Sequence, residues 1–143
     1  MAFEAIAVVS NTGKQRLAQM LDTGKAFQIK FFVVGDGGHD PSDPTTALTP
    51  DPADVTCPGA LFGPEVIDGA SIVAPFCPQF ECVLNPGEAT GNVSSICLIA
   101  EIVFNGTDPL NEIGATFIFA IANFPLKVKT ALDTFSFTIT VQL

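Results

Sequence analysis

The chain has 143 residues and a formal charge of −9, with 6 Lys and Arg against 15 Asp and Glu, 48% apolar residues and 15% charged ones. That hydrophobicity excludes a disordered acidic tail, and the length suits one domain, 1–143, around a single core. Residues 31–126 carry 12 carboxylates and no Lys or Arg, a distribution that repels phosphate and excludes nucleic acid and anionic lipid as partners; no apolar run approaches the ~20 residues of a membrane helix.

A short apolar stretch around Glu4 opens the chain. Ser10, Asn11 and Thr12 each suit a helix N-cap, Lys14 to Leu21 are mostly good helix formers, and Gly24 is placed to close the helix. From Ala26 the period changes: Phe27, Ile29, Phe31 and Val33 alternate with Gln28, Lys30, Phe32 and Val34, a strand that ends at Gly35. Residues 35–69 then hold six Pro, six Gly and six Asp, the chemistry of turns, and predict a long irregular acidic excursion over the surface, suited to partner contact. Beyond it a short strand is predicted within Ile67–Pro75 and another over Gln79–Leu84, followed by a turn at Asn85-Pro86-Gly87. Ser94–Phe104 alternates as an internal strand, Asn105-Gly106 reads as a hairpin turn, and Phe117–Phe124 reads as a central strand stopped by Pro125. The last strand alternates cleanly, with Phe135, Phe137, Ile139 and Val141 on one face. Together these predict a mainly β domain, an antiparallel β-sandwich with one N-terminal α-helix and the long acidic Pro/Gly-rich loop.

The chemistry-bearing residues are few. Gly35-Asp36-Gly37-Gly38-His39-Asp40 lacks the spacing of a phosphate loop, and Asp36, Asp40 and Asp43 do not follow the calcium-loop pattern, so a glycine-rich turn is expected there. His39 is the lone histidine, and nothing near it in sequence would orient it for nucleophilic catalysis. Cys57, Cys77, Cys82 and Cys97 lack metal-ligand spacing. They read either as reduced, partly buried thiols or as candidate disulfide formers, with Cys57 and Cys77, each before a proline, the best placed to reach another chain. Neither cofactor nor metal is expected. Lys14, Arg16, Lys25 and Lys30 gather near the helix and are expected to face an acidic partner.

Two stretches carry a family resemblance. Val8-Val9-Ser10-Asn11-Thr12-Gly13-Lys14-Gln15-Arg16-Leu17-Ala18, then the strand from Phe27 to Val34 and Gly35-Asp36-Gly37, resembles the opening of phage tail-collar fibre proteins. Asn111-Glu112-Ile113-Gly114 and then Phe119-Ala120-Ile121-Ala122-Asn123-Phe124-Pro125 is similar to a later block of the same family, with only Ala115 to Ile118 between its two parts. The resemblance implies a structural virion protein without enzyme activity, assembled in the host cytoplasm and residing in the virion tail. It implies a homotrimer docked on a baseplate wedge protein, with interchain disulfides as an optional reinforcement. The alternative is a host-surface or carbohydrate-binding module acting through the acidic loop. A hydrolase built on strand carboxylates such as Glu81 and Glu101 is a third reading.

Overall fold

A computed structural model describes residues 1–73 and 77–143. Along the chain lie β1 (Ala2–Val9), α1 (Asn11–Thr23), β2 (Ala26–Gly35), β3 (His39–Asp40), β4 (Asp43–Ala47) and β5 (Ala60–Val66). They are followed by β6 (Gly69–Val73), β7 (Cys77–Leu84), β8 (Gly91–Phe104), β9 (Thr116–Lys129) and β10 (Phe135–Gln142). The protein is mainly β with one helix, as the alternation predicts.

The strands do not divide into two stacked sheets. They form one eight-stranded sheet in the order β5-β2-β8-β9-β1-β10-β7-β6, with β3 and β4 as a separate two-stranded ribbon. The sheet curls because one face must bury its apolar residues against itself: Phe32 and Val34 of β2, Ile96 and Leu98 of β8, and Phe80 and Leu84 of β7 belong to a single buried cluster with Phe135, Phe137, Ile139 and Val141 of β10. The curl brings its two ends together. Between β5 and β6, the Ile67 N–H donates to Lys30 O of β2 (3.0 Å) and the Asp68 N–H to Glu81 O of β7 (2.9 Å).

Local signals account for much of this. Ser10 is the N-cap of α1, and Gly24 closes the helix in the left-handed region at φ 75°. β10 keeps every alternate residue buried, as its sequence predicts. Several expectations are corrected. The 35–69 segment is not irregular throughout: it contains β3, β4 and β5, and β5 pairs antiparallel with the edge of β2. The short strand expected within Ile67–Pro75 runs over Gly69–Val73, and its predicted end at Pro75 lies outside the described residues. The clean alternation read from Phe27 to Val33 is broken by a register shift between Ile29 and Phe31 against β8. Phe32 and Val34 consequently face the main core together with Phe27 and Ile29.

Pro125 does not end its strand. β9 runs on to Lys129, and the proline falls where the pairing slips between Val93↔Lys127 and Ser95↔Asn123, at a bulge that does not require its missing N–H. Asn105-Gly106 is no two-residue hairpin either. Residues 105–115 fold back against the end of α1, where the Thr107 N–H donates to Thr23 O (2.7 Å). β1 was not foreseen. It lies between β9 and β10 and pairs parallel with β10 from Ala2↔Ser136 to Val8↔Gln142, so the sheet is mixed.

Candidate functional site

The four basic residues expected to face a partner are mostly engaged inside the chain. Lys25, 2% exposed, meets Asp108 (3.0 Å) and Glu112 (2.6 Å) and also donates to Leu110 O. Arg16 grips the same Glu112 with both guanidinium nitrogens (3.1 and 2.9 Å) and lies over the Phe117 ring. The Glu112 carboxyl is held down to about 2 by the hydrogen bonds from Arg16 and Lys25. Burial works against the Lys25 charge, but hydrogen bonds to Glu112 and Asp108 outweigh it and raise the ammonium above its ordinary value. Lys30 pairs with Glu101 across β2 and β8 (2.8 Å). These three therefore tie the helix and β2 to residues 101–112. Lys14 is exposed and borders a groove of about 270 Å³ with Val8, Leu17 and Leu143.

Both blocks of the family-like motif come together on β9. The Ser10 N–H donates to Phe119 O (2.8 Å), and the Ser10 hydroxyl donates to Ile118 O (2.6 Å) while accepting from the Gly13 N–H (2.8 Å). A Cβ on Gly13 would stand 2.6 Å from Phe119 O, so only glycine lets the first turn of the helix lie this close to the strand. Arg16 and Glu112 join the first block to the second a few residues further along.

The glycine-rich exit of β2 is a packing seat. The Asp36 N–H donates to Gly59 O and the Gly37 N–H to Pro58 O (both 3.1 Å), so the return of the excursion runs alongside its departure. A side chain at Gly35 would collide with Pro58 O, and one at Gly38 with Ser94 O. His39 Nδ1 lies 2.9 Å from Ser94 Oγ, which also accepts from the Gly38 N–H. Ser94 is fully buried, so its hydroxyl holds the loop and is closed to a substrate. Three carboxylates of the excursion cap their own turns: Asp40 accepts from the Ser42 N–H, Asp43 from Thr45 and Thr46, and Asp51 from the Ala53 N–H. Among the described residues no three His, Cys, Asp or Glu side chains gather to hold a metal ion.

The four cysteines are free thiols. Of the two readings open for Cys57, a partly buried thiol or one able to reach another chain, the structure fits the first: it is 6% exposed, with Sγ 3.6 Å from both Val33 O and Ser95 Oγ. Its neighbour in a small buried cluster is Cys97, fully buried on β8. Cys82 points into the main core, where burial pushes its thiol up. Cys77, half-buried at the start of β7, is the one cysteine of the four with an accessible side chain. The Cys57–Cys97 contact was missed because the two residues are far apart in sequence and no spacing pattern announces them.

Compared with protein-family models, with curated proteins and with solved structures, the chain matches none of the three.

Proposed function

We propose that the chain is a structural component of a bacteriophage tail, a fibre or baseplate-attached fibre protein that self-associates, as a trimer, and docks on the baseplate. The observation that carries this reading is the junction on β9. The two sequence blocks that resemble tail-collar proteins are about a hundred residues apart, yet Ser10, Gly13 and Arg16 of the first bind Ile118, Phe119 and Glu112 in and around the second. Motifs that depend on one another in this way share one core, which supports reading them together as a single collar-type domain. A junction buried and bonded at both ends also suits a part that must transmit force without yielding.

Self-association is assigned to the ends of the sheet. β5 and β6 are its terminal strands, and Leu61, Val66 and Ile72 project from them exposed, which is the kind of edge a further strand or a second copy covers. Two measurements test the reading. Native mass spectrometry of the purified chain is expected to give a trimer. Antibody against the chain is expected to label the tail baseplate of purified particles from the source of the sequence. Particles free of the chain would remove the proposal, and a stable monomer would remove its oligomeric part.

A further inference from the structure

The outer face of the sheet carries a second, smaller core. Cys97 of β8 and Ile118 and Ile121 of β9 form it, with Val33 of β2 and Ile99 packed beside them, and Cys57 of the excursion closes it from above. The Val33 carbonyl that lies 3.6 Å from Cys57 Sγ belongs to the residue paired with Cys97 across the β2–β8 ladder. Ser95 Oγ, two residues from Cys97 on the same strand, lies 3.6 Å from the same sulfur. Cys57 thus sits over the Val33–Cys97 pair, with its side chain directed at β8. Cys82 belongs to the main core on the opposite face and is separated from this pair by the sheet.

We propose that Cys57 and Cys97 form an intrachain disulfide when the chain meets a small-molecule disulfide oxidant, and that this bond fastens the 36–59 excursion to the outer face of the sheet. The excursion already returns to β2 at this point, through Asp36 to Gly59 and Gly37 to Pro58. Those hydrogen bonds keep the backbone next to Cys57 beside β2, the strand paired with the one that carries Cys97. The neighbouring Cys97 thiol lowers that of Cys57, whereas Cys57 and burial together raise that of Cys97, so Cys57 ionises first. The Cys57 thiolate attacks one sulfur of the oxidant. The oxidant's S–S bond breaks, and the departing thiolate takes up the proton Cys57 has lost. Cys97 then gives up its proton, attacks Cys57 Sγ and expels the second small thiolate, which takes that proton. Two protein thiols are oxidised, and one small disulfide is reduced to two thiols.

The bond closes a loop of about 40 residues that includes the return of the excursion and strands β5 to β7. Cross-linking a loop of that size raises the melting temperature by roughly 10 °C in a chain of this length. The test uses the full chain, first fully reduced, then incubated with oxidised glutathione, denatured, alkylated with maleimide and mapped as peptides without reduction. The expected product has lost two hydrogens, yields a peptide linked through Cys57 and Cys97 with Cys77 and Cys82 alkylated, and melts higher until dithiothreitol restores the reduced value. Alkylation of both Cys57 and Cys97, a link through Cys77 or Cys82 instead, or glutathione adducts alone would overturn the proposal. Cys77→Ser is expected to leave the link intact. Cys97→Ser is expected to stop Cys57 at its glutathione adduct, and the wild-type map decides the question even if that variant does not fold.

Discussion

Replacing Ser10 tests the junction between the helix and the sheet most directly. Its hydroxyl accepts from the Gly13 N–H at 2.8 Å and donates to Ile118 O at 2.6 Å, at a position with no solvent exposure. Ser10→Ala removes an N-cap, which costs about 1 kcal/mol, and strips a donor from a carbonyl shielded from water, which costs ~1–3 kcal/mol. The sum is about 3 kcal/mol, or roughly 10 °C in melting temperature for a chain of this size. Because the protein has no Trp and no Tyr, guanidinium unfolding followed by far-ultraviolet circular dichroism is the suitable assay. Ser10→Asp makes the experiment decisive. On an exposed helix aspartate caps at least as well as serine, but here it has no proton for Ile118 O and brings a charge to a buried position. Aspartate is therefore expected to be worse than alanine, the reverse of the usual ranking. An aspartate variant as stable as wild type, or an alanine variant within about 0.5 kcal/mol of it, would show that Ser10 is an ordinary surface cap and that the junction is not held this way.

Three further outcomes follow from the same contacts. Gly13→Ala, which in an exposed helix interior gains up to ~1 kcal/mol, is expected to destabilise here, because its Cβ would meet Phe119 O at 2.6 Å and Val9 Cγ1 at 3.0 Å; a higher denaturation midpoint would contradict that close approach. Glu112 is held at about 2 in the fold against 4.5 ordinarily, so its contribution is fully present above its unfolded value and is lost as pH falls from about 4.5 towards 2. The stability advantage of wild type over Glu112→Gln is expected to shrink across that window in melts at stepped pH, and a pH-independent difference would refute the pairing. Lys14→Glu is expected to leave the melting temperature unchanged, whereas Arg16→Glu, which sets a like charge against Glu112, is expected to lower it; equal effects would mean that Arg16 is as uninvolved in the fold as Lys14.

What could be read from the sequence was whatever is decided within a few residues. Ser10 and Gly24 mark the ends of α1 by their own conformational preferences, and the alternation from Phe135 to Val141 needs no knowledge of its neighbours. Elements decided by distant partners were not legible. β1 is rich in alanine, a poor strand former by itself, and exists because β9 and β10 flank it. β5 contains Gly63 and Pro64, which read as a turn, yet its place at the sheet edge tolerates both. The basic residues misled for the same reason: Lys25 finds Asp108 and Glu112 more than eighty positions away, so a charge that looked available to a partner is spent within the fold. Cys57, before a proline and expected in an open loop, is covered because the excursion turns back onto β2 and β8.

The residues that carry the family resemblance are the ones least free to touch anything else. Ser10 is fully buried against β9, Gly13 leaves no room for a methyl group, Gly35 and Gly37 are seats for the returning excursion, and Glu112 is shared by two cations. Such positions hold their identity for packing reasons whatever the domain binds. The resemblance therefore bears first on the core, and on function only through what that core positions. What it positions outward is different in kind: the sheet-edge residues Leu61, Val66 and Ile72, and Lys14 beside its shallow groove. Substitutions at those exposed residues are expected to leave the buried junction and the glycine seats intact, so they change the surface without changing the core.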